Sequence, residues 1–465
     1  MSSVFEQVET APFDAARRHR PILLVGGSIF SATTSTIAKA DVLVENGVIA
    51  SISTPGGITS PNAERLDAKG CLVLPGLTNA HTHSPENLAA GFCDSLQTEG
   101  WRQSVWARLD TLPKEAIHLG VRIGAAQMLK RGVTAVVDHF RQTPMSLEAI
   151  DGVRAAYEIT GMRAMVAVML RDRVGRDGRL IGVPSHARAP TIGEIRELWT
   201  EVARRQLPHS RIMMAFGPSD PTRCSDALLE IAVDLAKQHS LLLHTHVAET
   251  QSCAEVARQL YGCSTIRHLK DIGFLSARTS LAHCVWIDEE EIELIAENDT
   301  VAVHNPVSNM VLGAGIAPVN AMLKAGVSVA IGTDGAASNG GQDMLESMKY
   351  AALLPRCGVA NVADWLTAAQ AVTLAVNGGR KVFGIEAQGI EANAVADIAV
   401  FPIADDTIDG QFDPVRQLTY SAQSHARHVL IAGEPVVLGG AITTFDEFAM
   451  QDELRDLRRN FVKVQ

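Results

Sequence analysis

Eight short apolar runs, each separated from the next by a helical or loop segment, constrain the fold of this chain more than any other feature. In chain order they read CLVLPGLTNAHTH, TAVVDHF, RAMVAVML, RIMMAFGPS, LLLHTHVAE, TSLAHCVW, TVAVHNPVS and VSVAIGTDG. Continuous apolar runs that alternate with amphipathic stretches such as KEAIHLGVRIGAAQMLKRG are typical of parallel strands with helical crossovers. The pattern predicts an α/β fold, a (β/α)8 TIM-like barrel over residues 73–385. An open doubly wound sheet is the alternative, but no GxGxxG motif follows the first strand.

Both ends of the chain have a different, turn-rich pattern. Residues 1–72 contain the strand-like texts ILLVGGSIF and ADVLVENGVIASI, in which Asn46-Gly47 indicates a hairpin. Residues 386–441 contain ADIAVFPI and RHVLIAGEPVVLGG. We therefore expect the two ends to meet in one small β-sandwich domain, followed by a helical tail over residues 442–465.

Composition narrows the classes of partner. A formal net charge of -11 argues against binding to nucleic acid or to an anionic membrane surface. No apolar run is long enough for a membrane span, and the first twenty residues lack the apolar core of a signal peptide. The seven cysteines are scattered without a CxxC pair, as in a reduced protein. We expect a cytoplasmic protein that acts on a small molecule.

Polar side chains cluster where the predicted strands end, which is where barrel enzymes build their active sites. These strand-end residues are His81, His83, Asp138, His139, His244, His246, His283, His304 and Asp334. A single strand-end histidine is more often a hydrogen-bonded core residue than a ligand. An HxH pair on one strand face, followed by HxxE and a final Asp, is hard to explain by packing alone. Imidazole and carboxylate groups together predict a site for zinc, iron or manganese.

The sequence resembles the amidohydrolase superfamily, and within it the cytosine deaminase-like branch. The motifs that carry the resemblance are LPGLTNAHTH, HTHVAET, AHCVWID, HNPVSNMVLGAGIAPV and GTDGAASN, and it covers nearly the whole chain. That branch holds deaminases of guanine, cytosine, methylthioadenosine and S-adenosylhomocysteine, and also the triazine hydrolases.

The resemblance implies both a ligand set and catalytic roles. The implied metal ligands are His81, His83, His246 and Asp334, and the implied catalytic residues are Glu249, His283 and Asp334. No lysine stands at the end of the fourth predicted strand, so one divalent ion is expected, zinc with Fe2+ or Mn2+ as alternatives. The tripeptide HTH occurs twice, at residues 81–83 and 244–246. In the second copy His246 is the expected ligand, whereas His244 lies one pleat deeper and is expected to give a supporting hydrogen bond.

The implied reaction is the hydrolytic deamination of an N-heterocycle such as a purine, pterin, pyrimidine or nucleoside. The alternatives are a triazine-type hydrolase that removes chloride or alkylamine, a ring amidohydrolase, and a non-catalytic binding protein of the same fold. A homo-oligomer is expected by analogy. Candidate substrate-binding residues are Glu99, Trp101, His139, Ser219 and His304. Ser219 stands in FGPSDP where methylthioadenosine/S-adenosylhomocysteine deaminases have histidine, so the heterocycle stays open.

Overall fold

A computed structural model describes residues 20–91, 95–175, 188–206, 210–358, 361–385, 389–404 and 412–462. The first strands of this part of the chain are β1 (Ile22–Ser31), β2 (Thr36–Glu45), β3 (Val48–Ser53), β4 (Glu64–Asp67) and β5 (Cys71–Pro75). β2 and β3 pair antiparallel through the turn at Asn46 and Gly47, whose φ angles are 50° and 81°. Positive φ at both central residues is what a two-residue hairpin turn requires, so the predicted hairpin is confirmed.

Eight parallel strands follow and form the barrel. They are β6 (Leu77–Thr82), β7 (Val133–Phe140), β8 (Arg163–Leu170), β9 (Ile212–Pro218), β10 (Leu242–Val247), β11 (Thr279–His283), β12 (Val301–His304) and β13 (Ser328–Ile331). Each strand pairs with the next along the chain. The first and last strands meet where the Asp334 amide donates to the His81 carbonyl at 2.9 Å. The predicted α/β barrel is confirmed.

The remaining strands return to the N-terminal ones. They are β14 (Ile398–Pro402), β15 (His428–Ile431), β16 (Glu434–Leu438) and β17 (Ala441–Ile442). The sheet order is β17-β16-β15-β14-β5-β1-β2-β3, with β4 beside β1. The small β-domain built from both ends is thus present. Its strands form one hydrogen-bonded sheet, because β5 pairs with β1 on one side and with β14 on the other. Side chains from both halves of this sheet pack into one apolar core.

The run CLVLPGLTNAHTH, predicted as a single barrel strand, is divided between the two sheets. β5 belongs to the small sheet up to Pro75, three residues beyond the predicted division at residue 72, and β6 begins the barrel at Leu77. Gly76 lies between them and donates its amide to the Asp397 carbonyl at 2.8 Å. A Cβ at this position would lie 2.2 Å from Thr134 Oγ1, so only glycine fits.

Helices connect and cover the strands. They are α1 (Thr98–Leu109), α2 (Ala116–Lys130), α3 (Leu147–Thr160), α4 (Ile192–Arg204), α5 (Asp226–His239), α6 (Gln251–Tyr261), α7 (Thr265–Asp271), α8 (Glu289–Glu297), α9 (Pro306–Val311), α10 (Val319–Lys324), α11 (Ala336–Asn339), α12 (Met344–Leu353), α13 (Ala368–Thr373), α14 (Gly379–Val382), α15 (Pro414–Ser421) and α16 (Glu447–Val462). α4 begins at a capping box formed by Thr191 and Glu194 and buries Ile195 and Trp199. No helix in the described ranges is long and apolar enough to cross a membrane.

Two apolar layers hold the barrel. The interior contains mostly small side chains such as Ala80, Ala167 and Ala330. Polar residues lie above this layer, at the carboxyl ends of the strands. The outer layer joins the strands, the helices and one face of the small sheet, including Phe401 and Ala399 of β14. Interior packing thus fixes the positions from which the strand-end side chains project.

The junction between barrel and small sheet gives a stability prediction. Gly132 has φ 75°, and a Cβ there would lie 2.4 Å from Phe401 Cζ. Gly132→Ala adds overpacking of about 1 to 3 kcal/mol to the strain of a left-handed residue, and should lower the melting temperature of the metal-loaded protein clearly. The matched control is Gly56→Ala, which has φ 84° with no atom within 4 Å of the added Cβ. Equal melting temperatures for the two variants would contradict this account of the junction.

Candidate active site

Four buried side chains converge at the carboxyl ends of the barrel strands. His81 lies near the end of β6, His83 follows it, His246 lies near the end of β10, and Asp334 follows β13. The Nε2 atoms of His83 and His246 are 3.2 Å apart, and Asp334 Oδ1 lies 3.3 Å from His81 Nε2 and 3.4 Å from His83 Nε2. The structure therefore brings together the four residues predicted as metal ligands.

Backbone contacts fix which ring nitrogen of two histidines carries the proton. His83 Nδ1 donates to the His139 carbonyl at 2.7 Å, and His246 Nδ1 donates to the Ser219 carbonyl. Because a carbonyl can only accept, the proton of each neutral ring is on Nδ1 and the lone pair is on Nε2. Burial lowers the pKa of both rings, which keeps them neutral at neutral pH. Two lone pairs therefore face each other across 3.2 Å.

His81 is oriented by a chain of side chains below it. Its Nδ1 lies 2.8 Å from His244 Nε2, and His244 Nδ1 lies 2.7 Å from Ser280 Oγ. The expected supporting hydrogen bond of His244 is thus present, one residue pair deeper than His246. Burial lowers the pKa of His81 to about 3, and its Nε2 is buried without a hydrogen-bond partner. Ser280 Oγ donates to the Leu243 carbonyl at 3.4 Å and so accepts from His244 Nδ1, which leaves His244 Nε2 to accept from His81 Nδ1. The lone pair of His81 is therefore on Nε2, which faces Asp334 Oδ1 at 3.3 Å.

These donors fit a tetrahedral divalent ion. Zn–N bonds of 2.0–2.1 Å at a tetrahedral angle separate two ligand nitrogens by about 3.3 Å. The separations of 3.2, 3.3 and 3.4 Å among the four donor atoms match that value. A cation between them also removes the repulsion of the opposed lone pairs and gives the orphaned His81 Nε2 a partner. The chain therefore has a site able to hold a divalent metal.

The two oxygens of Asp334 have different surroundings. Oδ1 faces His81 and His83 and accepts from the Gly335 amide at 2.8 Å, whereas Oδ2 accepts from Ser308 Oγ at 2.6 Å. Asp334 has φ 61°, an unfavourable conformation that its side-chain contacts hold in place. One oxygen is thus placed for a metal, and the other faces the neighbouring His283.

His283 is held by an amide side chain. Asn309 Oδ1 lies 2.9 Å from His283 Nδ1, and His283 Nε2 lies 3.8 Å from Asp334 Oδ2. The amide oxygen accepts from Nδ1, which turns the Nε2 edge of the ring toward the carboxylate. The gap between Nε2 and Asp334 Oδ2 is wide enough for a polar ligand atom that contacts both.

Glu249 lies two residues beyond β10 and is 4% exposed. Its Oε2 accepts from Arg102 Nη2 at 3.2 Å, which fixes the position of the carboxylate just beyond the end of β10. The residue between strand and glutamate, Ala248, has φ 47°, so the backbone turns sharply there. The geometry leaves the second carboxylate oxygen of Glu249 available for a ligand.

Two predicted substrate-binding residues lie on α1. Glu99 is exposed and accepts from Arg102 and Arg223, both at 2.7 Å. It lines a cavity of about 720 Å³ at the mouth of the barrel, together with Thr250 and Trp286. Trp101 is instead packed in an apolar cluster, and its indole donates to the Ala337 carbonyl at 3.1 Å.

The other three predicted substrate-binding residues are fully buried. His139 Nε2 donates to the Gly217 carbonyl at 3.2 Å, while its own carbonyl holds His83. Ser219 holds His246 through its carbonyl, and its hydroxyl has no partner among the described residues. His304 is 2% exposed and neither ring nitrogen has a partner there. His139 and Ser219 thus contribute backbone support to the histidine cluster, and contact of their side chains with substrate stays a prediction.

Several residues of the site were missed by sequence reasoning. Arg102 directly follows Trp101, a candidate substrate-binding residue. Ser308 and Asn309 lie inside the motif HNPVSNMVLGAGIAPV. These three residues are therefore next to or inside segments that the sequence had already marked as functional. Glu86 has no such signal. It is buried, accepts from Trp106 Nε1 at 3.2 Å, and burial raises its pKa to about 8.

Comparisons with known proteins agree with this arrangement. Residues 72–436 match the model of the Amidohydrolase family. A 5-methylthioadenosine/S-adenosylhomocysteine deaminase of Thermococcus kodakarensis is 33% identical over 87% of this chain and 91% of the relative. A 5'-deoxyadenosine deaminase of Methanosarcina mazei is 31% identical over 92% of this chain and 94% of the relative.

A solved structure has the same architecture. An adenosine deaminase from Xanthomonas campestris with bound zinc superposes with a TM-score of 0.82 at 28% identity, covering 95% of this chain and 98% of that one. An atrazine chlorohydrolase from Arthrobacter aurescens superposes with a TM-score of 0.85 at 24% identity. At this level of identity the similarity supports the shared fold and no shared activity. Fold, convergent site and family model agree: the chain belongs to the amidohydrolase family.

Proposed function

We propose that this protein is a metal-dependent hydrolytic deaminase that replaces the exocyclic amine of a nucleoside-like N-heterocycle by oxygen and releases ammonia. The observation that carries the proposal is the convergence of three unprotonated imidazole nitrogens and one carboxylate, with His283 beside them. Glu249 follows the proposed ligand His246 by three residues. The names of the relatives, which are adenosine-type deaminases, favour a 6-aminopurine ring. Zinc is the proposed ion, held by His81, His83, His246 and Asp334. The cytoplasmic location and homo-oligomeric state remain predictions.

The proposed roles follow from the contacts of each residue. A divalent ion lowers the pKa of bound water toward ~7, so that hydroxide is available at neutral pH. Asp334 Oδ2 accepts the proton released as the water oxygen bonds to the ring carbon, and His283 Nε2 orients that oxygen. Glu249 protonates the adjacent ring nitrogen, which makes the carbon electrophilic. The proton held by Asp334 passes to the amine, which leaves as ammonia as the carbon–nitrogen bond breaks. The proton of the remaining hydroxyl group returns to Glu249, so both carboxyl groups regain their starting states.

The first test is an ammonia-release screen of the zinc-loaded protein. We expect turnover of adenosine-type nucleosides, and loss of turnover on chelation with recovery when zinc is returned. Guanine, pterins, pyrimidines and triazines form the other arms, and the triazine arm also measures chloride and alkylamine. Release of chloride or alkylamine without ammonia would replace the proposal by the triazine-type alternative.

The two HTH copies allow a test of the ligand assignment. His246→Ala removes a proposed ligand and should lower the bound metal, measured by elemental analysis after dialysis, to well under half an ion per chain. The matched control His244→Ala removes only the contact to His81 Nδ1, so it should keep most of the metal with an affinity about 10- to 100-fold weaker. Equal metal loss in the two variants would show that His244 is itself a ligand.

Glu249→Gln tests the proton transfer separately from the metal. The amide keeps the size of the side chain and can still accept from Arg102, but it cannot donate an acidic proton. We expect kcat for ammonia release to fall by about 100- to 10,000-fold with the metal content unchanged. Glu230→Gln, an exposed change on α5, is the control and should keep the wild-type rate. A Glu249→Gln enzyme with full turnover would exclude Glu249 as the acid.

A further inference from the structure

Side chains close the barrel where its first and last strands meet. Backbone ladders join each barrel strand to the next from β6 to β13, and within the described ranges none joins β13 back to β6. The gap is bridged by four buried polar side chains, which are Asn79, Thr82, Thr333 and Gln342. These four side chains form the closure network. Buried polar groups need partners, so the network has to be satisfied from within.

The two amide side chains of the closure network have defined orientations. Asn79 Oδ1 accepts from the Thr333 amide at 3.0 Å, so Asn79 Nδ2 is the end that faces Gln342 Oε1, also at 3.0 Å. Gln342 Nε2 then donates to the Asp334 carbonyl at 3.1 Å. Because backbone amides only donate and backbone carbonyls only accept, these contacts exclude the flipped orientation of either side chain.

Gln342 is the most constant donor to the Asp334 carbonyl. The hydroxyls of Thr82 and Thr333 lie 3.1 and 3.0 Å from this carbonyl. They also lie 3.0 and 2.6 Å from Gln342 Oε1. A hydroxyl has one proton to donate, so a threonine that donates to Gln342 does not donate to Asp334. Gln342 Nε2, in contrast, donates to the Asp334 carbonyl and to no other acceptor in the part of the chain that the structure describes.

This donor fixes the peptide unit that orients the Asp334 carboxylate. The carbonyl that Gln342 holds and the Gly335 amide belong to one planar trans peptide, so they point in opposite directions. The Gly335 amide donates at 2.8 Å to Asp334 Oδ1, the oxygen that lies 3.3 Å from His81 Nε2. Rotation of this peptide would break both contacts at once. Asp334 has φ 61°, a conformation that persists only where its surroundings hold it.

Gln342 is itself held from α2. Its backbone amide donates to Oε1 of Gln127, a residue of α2, at 2.8 Å. The next residue, Asp343, pairs at 2.8 Å with Arg131, which directly follows α2. Gln342 thus has an anchor outside β13, the strand after which Asp334 lies.

We infer that Gln342 is a positioning residue for the metal site. It holds the peptide between Asp334 and Gly335, so that Asp334 Oδ1 faces the proposed metal position while Oδ2 faces Ser308 and His283. Its effect on turnover rests on the proposed deaminase function, in which Oδ2 accepts a proton. Its effect on metal binding does not depend on the substrate.

Zinc binding tests the inference without a substrate. Gln342→Met keeps an unbranched side chain of similar size and removes the amide. Loss of a contact that orients a ligand weakens metal binding by about 10- to 100-fold, so the Kd for zinc should rise by this factor in competition with a chelator of known affinity. Unchanged zinc affinity in Gln342→Met would overturn the inference.

The matched control is Thr279→Val, at the amino end of β11 and thus at the opposite end of the barrel. It removes a buried hydroxyl that donates to the Phe274 carbonyl at 2.7 Å, so it should lower the melting temperature without changing the Kd for zinc. Zinc stabilises the folded protein according to its affinity, so the rise in melting temperature on adding zinc should be smaller in Gln342→Met than in wild type or Thr279→Val. An equal fall for the metal-free and zinc-loaded forms of Gln342→Met would make Gln342 a purely structural residue.

Two changes at Thr333 decide the matter if Gln342→Met does not fold. Thr333→Val keeps the shape of the side chain and removes the hydroxyl that lies 2.6 Å from Gln342 Oε1, whereas Thr333→Ser keeps the hydroxyl. Zinc should bind Thr333→Val about 10-fold more weakly than Thr333→Ser. Equal affinities of the two variants would overturn the assignment.

Turnover at saturating zinc tests the orientation of the second oxygen of Asp334. With the best substrate of the ammonia-release screen, Gln342→Met should lower kcat by about 10- to 100-fold and change KM by less than about threefold, because Asp334 acts on the attacking water. Wild-type kcat in this variant would overturn its role in turnover. If the wild type releases no ammonia from any ring, the proposed function fails, and a weaker zinc affinity of Gln342→Met would still support the inference.

Discussion

The opposed lone pairs of His83 and His246 are the constraint on which the rest of the site depends. Each ring is held by a hydrogen bond from Nδ1 to a backbone carbonyl, that of His139 in β7 and that of Ser219 directly after β9. Neither ring can turn to relieve the repulsion without losing that bond in a buried setting, where an unpaired donor is costly. The barrel strands therefore maintain an arrangement that only a cation, or a proton, stabilises. The orientation of the two imidazole rings is therefore set by backbone carbonyls. For this orientation the carbonyls of His139 and Ser219 matter more than their side chains.

The sequence predicted those parts of the structure that depend on local pattern. The strand runs, the hairpin at Asn46-Gly47 and the strand-end His81, His246 and Asp334 follow from periodicity and from the rule that barrel sites lie at strand ends. The division of CLVLPGLTNAHTH between two sheets was not predictable in this way. β5 and β6 are equally buried, and only the partner strands, far away in the sequence, assign Pro75 to one sheet and Leu77 to the other.

The contacts between side chains across the barrel could not be predicted from the sequence either. Nothing in the text of α1 shows that Arg102 will meet Glu249, or that Arg141 and Arg171 will both lie against Trp106. Such contacts depend on where helices and loops from different crossovers meet above the barrel. Trp101 and Trp106 show the consequence. Trp101, a candidate substrate-binding residue, packs into an apolar cluster, whereas Trp106 lies against Arg102, Arg141 and Arg171.

The hydrogen bond between the Asp334 amide and the His81 carbonyl, at 2.9 Å, joins the first barrel strand to the last. The residues on either side of this seam are two of the proposed ligands, so an ion held there also fastens the closure of the barrel. The binding site is incomplete until β13 has packed beside β6. These are the first and last strands of the barrel, so they are far apart in the sequence. Metal binding would therefore require a closed barrel, and loss of the ion would remove a link between its first and last strands.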